Sequence, residues 1–167
     1  MTVARLLITS CFLASLATPA VPAGAPEILY NNAPWVVFRI ADAQRPVCMA
    51  QVPLEAGKLF QFVGFGKMNA VISAQAPEWV FSKHQALVRF SADGTSFALG
   101  GAHYDQTMIM LPGPVDALYS VMRSINDADE LSVSDENSKL LGTFPITGMA
   151  EALRLWKDCT DKLSAGD

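Results

Sequence analysis

The chain has little of what catalysis usually requires. Its 167 residues include only two histidines, His84 and His103, and three cysteines, none of which lies beside a histidine or in a Cys-x-x-Cys pair. No Gly-x-Ser-x-Gly sequence is present, so no serine stands out as an activated nucleophile. Two separated histidines do not make the cluster of three or four ligands that a metal site needs. We therefore expect no catalytic residues, no metal and no cofactor.

Positive charge is also scarce. The chain carries 12 Lys and Arg against 16 Asp and Glu, a net charge of −4. Proteins that bind nucleic acid carry a stripe of basic residues, and proteins that adhere to anionic lipid carry a basic cluster. The charges of this sequence are scattered and form neither. The sequence also lacks any Asn-x-Ser/Thr acceptor, which favours a bacterial envelope protein over a eukaryotic secreted one.

The first informative feature of the sequence is a predicted export signal. Residues 1–23 place one positive charge, Arg5, before an apolar stretch that ends near Leu16, followed by small residues and prolines. The apolar stretch is shorter than the roughly 20 residues that span a bilayer. Val21 and Ala23 supply small residues at the −3 and −1 positions, which predicts cleavage after Ala23. We expect a periplasmic or secreted protein with no stable membrane insertion after the signal is removed.

Two alternatives concern the same segment. Cleavage after Ala20 fits nearly as well. Ile8-Thr9-Ser10-Cys11 loosely matches a lipobox, in which Cys11 would be lipidated and become the first residue of a lipoprotein. The apolar run continues past Cys11, so ordinary cleavage is the preferred interpretation.

Two cysteines remain in the processed chain. An oxidising compartment favours their pairing as a Cys48–Cys159 disulfide. The alternative is two independent buried thiols.

The rest of the chain is predicted to form one domain. Residues 24–34 are rich in Pro, Asn and Ala and are interpreted as a lead-in, with a single β-rich domain over residues 35–167. Short apolar segments separated by turn residues predict strands. The predicted strands are Trp35–Ala41, Pro46–Val52, Lys58–Phe65, Asn69–Gln75, Gln85–Ala92, Thr95–Leu99, Gln106–Leu111, Glu130–Ser134 and Leu140–Ile146.

Asp93-Gly94 is the strongest hairpin signal in the sequence. A two-residue turn there places Phe90 opposite Phe97 and Val88 opposite Leu99, so turn and pattern agree. By contrast, Gly64-Phe65-Gly66 is interpreted as a turn or bulge between strands, because the phosphate-loop spacing is missing.

Two helices complete the prediction. A short one opens at Gly113-Pro114 and ends between Asn126 and Asp129. The second runs from about Gly148 to Leu163. Its apolar stripe would face the core and bring Cys159 within reach of Cys48; the stripe consists of Met149, Ala152, Leu153, Trp156, Cys159 and Leu163.

The fold class follows from the order of these elements. Strands joined by short turns, without a βαβ rhythm, imply an antiparallel arrangement. We expect a mainly β protein with helices (α+β). Its architecture would be an antiparallel β-sandwich or curved sheet with the C-terminal helix packed on it.

Four residues are candidates for a partner face: Trp79, Phe81, His103 and Tyr104. Trp79 and Phe81 follow Ala76-Pro77-Glu78, and His103-Tyr104 follows Gly100-Gly101. Aromatic side chains are enriched in protein interfaces, although most aromatics of a domain belong to its core.

The two ends of the domain resemble a known family. The run Thr143–Leu153 followed by Cys159, with Trp35 opening the first strand and Cys48 soon after it, resembles the invasion-associated locus B family. The resemblance implies a small periplasmic or surface-linked β-rich domain, implicated in host-cell association and without an assigned reaction. No functional residues carry over from it.

The leading hypothesis is an exported, non-catalytic envelope domain that binds another envelope or secreted protein, in an accessory, inhibitor or immunity-type role. The first alternative is a small periplasmic hydrolase with a site around His103. The second is a small-ligand carrier with an apolar pocket between sheet and helix.

Overall fold

A computed structural model describes residues 25–41, 45–125 and 128–163. The predicted signal and Cys11 lie outside the described residues. Apart from a short 3-10 helix over Glu55–Gly57, the described elements are ten strands and two α-helices: β1 (Glu27–Asn32), β2 (Trp35–Ile40), β3 (Val47–Pro53), β4 (Leu59–Gly64), β5 (Ala70–Gln75), β6 (Phe81–Ala92), β7 (Thr95–Gln106), β8 (Met108–Gly113), α1 (Val115–Arg123), β9 (Glu130–Ser134), β10 (Leu140–Pro145) and α2 (Met149–Leu163).

All ten strands belong to one antiparallel sheet in the order β1-β2-β3-β4-β5-β8-β7-β6-β9-β10. The long β6–β7 hairpin joins its two halves. β7 pairs with β8 through residues 103–105, near the base of the hairpin, while β6 pairs with β9 through residues 89–91, near its tip.

The sheet curves until its two halves face each other. Phe60 of β4 and Phe144 of β10 belong to strands six places apart in the sheet order, yet their ring centroids are 5.6 Å apart. The expected mainly β fold with a C-terminal helix packed on an antiparallel, curved sheet is confirmed.

The inner side of the curve holds the core. Along β4, Phe60 and Phe62 point inward and are fully buried. Trp156 of α2 packs against Phe62 with ring centroids 5.5 Å apart, so the helix covers this side of the sheet. Burial of the predicted α2 stripe is confirmed for five of its members, Met149, Ala152, Leu153, Trp156 and Cys159, while Leu163 is half-buried.

The predicted hairpin is confirmed in its register. Val88 pairs with Leu99 and Phe90 with Phe97. Asp93 and Gly94 have φ angles of 47° and 77°. Positive φ at both central residues is what the type I′ turn of a two-residue hairpin requires.

The structure corrects three expectations about strand limits. The strand expected to begin at Gln85 begins at Phe81. The lead-in contains β1, which pairs with β2, so the sheet begins before Trp35. The strand expected to end at Leu99 continues to Gln106. Gly100 and Gly101 are a bulge within β7 and not its end, since the register shifts there and Gly101 adopts a φ of 82°.

The predicted disulfide is confirmed. Cys48 of β3 and Cys159 of α2 are bonded, with their Cα atoms 6.0 Å apart and 111 positions between them in the sequence. The bond fastens the last turns of α2 to the third strand.

Neither described helix has the length and apolarity needed to cross a membrane.

Candidate functional site

Two of the four predicted partner-face residues belong to the core. The Trp79 side chain is 5% exposed, and its Nε1 donates a hydrogen bond of 3.0 Å to the carbonyl oxygen of Leu141. Tyr104 is 1% exposed, and its hydroxyl donates a 2.8 Å hydrogen bond to the carbonyl oxygen of Leu87. The expectation that these two side chains form an exposed face is therefore corrected. The polar atom of each side chain donates its hydrogen bond to a carbonyl oxygen inside the fold.

The aromatics of this region form a continuous chain of ring contacts. Centroid distances are 5.6 Å between Trp79 and Phe81, 5.1 Å between Phe81 and Tyr104, and 4.6 Å between Tyr104 and the stacked ring of His84. Phe81 is half-buried. These ring contacts connect Trp79, which precedes β6, to the β6–β7 hairpin. Of the four rings, that of His84 is the solvent-exposed one. A contact of Phe81 or His103 with a partner stays a prediction.

His103 is exposed on β7, and its ring lies against an amide. Its Nε2 is 3.3 Å from Nε2 of Gln85. No serine, cysteine or carboxylate among the described residues is hydrogen-bonded to it. A hydrolase site around His103 therefore gains no geometric support from its neighbours. Within the described part of the chain, no group of three or more His, Cys, Asp and Glu side chains is arranged to hold a metal ion.

A different feature is exposed in the loop between β4 and β5. Phe65 is 48% exposed and Met68 is 72% exposed. Backbone hydrogen bonds hold this loop: Phe65 N–H donates to Asn69 O at 2.9 Å, and Asn69 N–H donates to Gly66 O at 3.0 Å. Val115 N–H, at the start of α1, donates to Lys67 O at 3.0 Å. The two apolar side chains are thus presented by an ordered backbone.

Phe65 and Met68 line a groove of about 660 Å³, which we call the loop groove. Its volume is within the range of about 300–1,000 Å³ typical of ligand pockets, but it is open to solvent. Among the described residues that line the groove, Arg45 is the one with a charge, and none is acidic. The other lining residues are Pro46, Asn69, Ala70, Val71, Pro112, Gly113 and Leu163.

Sequence reasoning assigned the glycines here to a turn, and this is confirmed, with Gly66 at a φ of 127°. It did not find the groove. Arg45, Phe65 and Leu163 are far apart in the sequence and meet only because α2 ends beside the β4–β5 loop. The detectable signal was a Phe and a Met in a short turn that otherwise consists of polar residues and glycine.

The side of the sheet that faces away from the core carries a second apolar surface, which we call the outer face. A single row of apolar residues crosses six neighbouring strands on it. Each pairs directly with the next in the hydrogen-bonded register: Ile28, Phe38, Met49, Val63, Val71 and Pro112. α2 packs on the opposite side of these strands, since it contacts the inward residues Phe62 and Gly64.

The neighbouring row on the outer face is uncharged as well. It consists of Val36, Gln51, Gln61, Ser73 and Met110 and ends at His103. Sequence reasoning missed this surface, although a signal existed. Strands exposed on one side normally alternate between apolar and polar residues. β2 and β3 instead have a single polar residue each, Arg39 and Gln51, and β5 has two, Ser73 and Gln75.

No family of known proteins, no curated protein and no solved structure matches the chain.

Proposed function

We propose that the protein is an exported, non-catalytic envelope domain that binds another envelope or secreted protein through the loop groove. One observation carries the proposal: Phe65 and Met68 are large apolar side chains held in water by an ordered loop. A loop whose backbone is ordered before binding loses little backbone entropy in a complex, and buried aromatic anchors supply most of the energy of many interfaces.

The lining of the groove defines the chemistry of the partner. The partner would insert an apolar side chain between Phe65 and Leu163 and place a carboxylate near Arg45. Arg45 forms no ion pair with any other described residue, so its guanidinium is available for a bidentate contact.

Export and family are part of the same proposal. The leader at residues 1–23 and the Cys48–Cys159 disulfide support a periplasmic or secreted location. The resemblance to the invasion-associated locus B family supports a binding role in the envelope, and membership of that family is a proposal that the run Thr143–Leu153 supports.

The carrier hypothesis has less support. A carrier needs an apolar pocket between sheet and helix, and the space between β4 and α2 is filled by Phe62 and Trp156, both fully buried. A cavity of about 280 Å³ does lie between β1 and α2. Of the seven described residues that line it, four are charged, which does not suit an apolar ligand: Glu27, Arg39, Asp158 and Lys162.

The test uses the processed protein in three forms: wild type, F65S/M68S and the control V80S. Val80 is 92% exposed and lies outside the groove lining, so V80S removes an exposed apolar side chain of another region. Each form is immobilised and exposed to extract of its own envelope and to host or competitor proteins, and the retained proteins are quantified by mass spectrometry.

The expected result is one stoichiometric protein retained by wild type and V80S and reduced at least about tenfold with F65S/M68S, because truncating two anchors removes at least about 1.4 kcal/mol. Equal retention by all three forms, or no stoichiometric protein with wild type, would contradict the proposal. Turnover of an envelope substrate that is lost in H103A, with folding intact, would favour the hydrolase instead.

A further inference from the structure

The outer face of the sheet has the composition of a buried surface. Its central row contains no polar side chain across six strands. Ile28 at one end of the row is 62% exposed. Near-continuous apolar strands such as β2 and β3 are typical of sheets that are covered on both sides. In this chain α2 covers only the inner side.

The outer face is also large enough to form an interface. Six strands spaced about 4.8 Å apart span roughly 24 Å, and the four outward residues of β3, which are Val47, Met49, Gln51 and Pro53, span roughly 20 Å along the strand. With the side chains at its margin, this footprint approaches the roughly 600–1,000 Å² per partner that stable complexes bury. A surface of this size exceeds the single exposed apolar residues that any soluble protein carries.

The charge distribution indicates which partner suits this surface. On the outer face of β1–β5 and β8 no residue is charged, whereas the whole chain has a net charge of −4. In a two-fold symmetric interface each residue meets the same small set of residues from the other copy, so a charged patch would repel itself. An uncharged face avoids this repulsion. It also lacks the charge complementarity by which two different proteins select each other.

The polar residues of the face suit a symmetric contact as well. Gln51 and Gln61 pair directly across β3 and β4, beside the apolar row. Nε2 of Gln61 donates a 2.9 Å hydrogen bond to Oγ of Ser73 in the same row. A glutamine amide has two N–H donors and an acceptor oxygen, so Gln51 and Gln61 each keep a donor and an acceptor for the equivalent group of a second copy. Two sheets pack face to face about 10 Å apart, with their strands inclined by about 30°.

We propose that a second copy of the chain covers the outer face, so that two protomers pack sheet against sheet around a two-fold axis near Met49 and Val63. This inference does not rest on the proposed function. The two surfaces adjoin, since Val71 and Pro112 belong to the apolar row and also line the loop groove, whereas Phe65 and Met68 lie on the β4–β5 loop outside the row.

The first test measures the oligomeric state of the processed protein from 1 to 100 μM by sedimentation velocity and light scattering. The variants are V63K and V80K, which make the same substitution at the centre of the outer face and at an exposed site outside it. Wild type and V80K should have twice the mass of one chain. V63K should be monomeric, with the dimer dissociation constant raised at least about 100-fold, since two lysines would be buried without partners. A circular dichroism spectrum equal to that of wild type shows that V63K is folded.

A second test does not depend on V63K folding. A photo-crosslinking amino acid replaces Phe38, and the protein is irradiated alone and in envelope extract. An adduct of two copies in both samples supports the proposal. A monomeric wild type at 100 μM, no adduct, or an adduct with a different protein or with lipid would overturn it. A monomeric wild type that still retains a partner through Phe65 and Met68 would overturn the dimer and leave the proposed function standing. A dimeric wild type that retains no partner would overturn the proposed function and leave the dimer standing.

Discussion

Gly64 of β4 lies directly against Thr160 of α2, so close that a Cβ at position 64 would overlap the Thr160 side chain. Thr160 is fully buried, and its hydroxyl donates a 2.8 Å hydrogen bond to the carbonyl oxygen of Trp156 in the preceding helical turn. This contact sets how closely the helix approaches the sheet beside the Cys48–Cys159 disulfide.

Replacing Gly64 by alanine is therefore expected to lower the free energy of unfolding by about 1–3 kcal/mol, because the added methyl group must displace the helix. The measurement is urea unfolding followed by circular dichroism. Gly100→Ala is the matched control, since a Cβ at Gly100 has no atom within 4 Å. Equal stability of the two variants would show that α2 does not approach β4 this closely.

Removing the disulfide is expected to destabilise the protein. In C48S/C159S the free energy of unfolding should fall by up to about 4–5 kcal/mol, because the bond closes a loop of 111 positions in the unfolded chain. Non-reducing peptide mapping should recover one peptide pair containing both cysteines. Dithiothreitol should shift the urea midpoint of wild type and leave that of the double variant unchanged. Two free thiols in the exported protein would contradict the bond.

Trp79 is expected to act as a core residue. Trp79→Ala should cost about 3–5 kcal/mol of unfolding free energy, since it leaves a cavity beside Phe144 and an unpaired carbonyl at Leu141. Val80→Ala changes a neighbour that is 92% exposed and should stay within about 0.5 kcal/mol of wild type. A W79A protein that is as stable as wild type and binds a partner more weakly would instead support the prediction that Trp79 belongs to a partner face.

Tyr104 should make stability depend on pH in the alkaline range. Two causes raise the pKa of the Tyr104 phenol from 10.0 to about 12. The larger is burial of the side chain, and the smaller is the negative charge of Glu136 and Asp135. Between these values the folded chain keeps a proton that the unfolded chain has lost. The stabilisation is thus complete below pH 10 and is lost as the pH rises towards 12.

The check compares urea midpoints of wild type and Tyr104→Phe from pH 8 to 12. Phenylalanine cannot ionise, so the stability advantage of wild type should be constant up to about pH 10 and shrink above it. A constant difference over the whole range would mean that Tyr104 titrates alike in the folded and unfolded chains.

Local patterns predicted those elements whose signal is contained in a few consecutive residues. The Asp93-Gly94 turn fixes its own hairpin register, because the backbone twist of a two-residue turn leaves one pairing of Phe90 and Phe97. The apolar stripe of α2 identified its buried side for the same reason, since helical periodicity is local. The limits of β1 and β7 were missed because sheet pairing tolerates the Asn residues of β1 and the glycine bulge of β7.

The candidate surfaces, in contrast, could not be predicted from local sequence patterns. Trp79 and Tyr104 are aromatic residues near turns in the sequence, and only the folded chain buries them against β10 and β6. The loop groove and the outer face consist of residues from distant segments, and their composition becomes visible once the register is known.

The sequence by itself thus determined the β-rich class, the cysteine pair and the identity of α2, because secondary-structure period and loop-closing chemistry are properties of short segments or residue pairs. Tertiary structure alone decided that the strands form one curved sheet with an apolar outer face. The reason is physical: which side of a strand meets water depends on where the helices pack, and that position is set by contacts between residues far apart in the chain, such as Gly64 with Thr160.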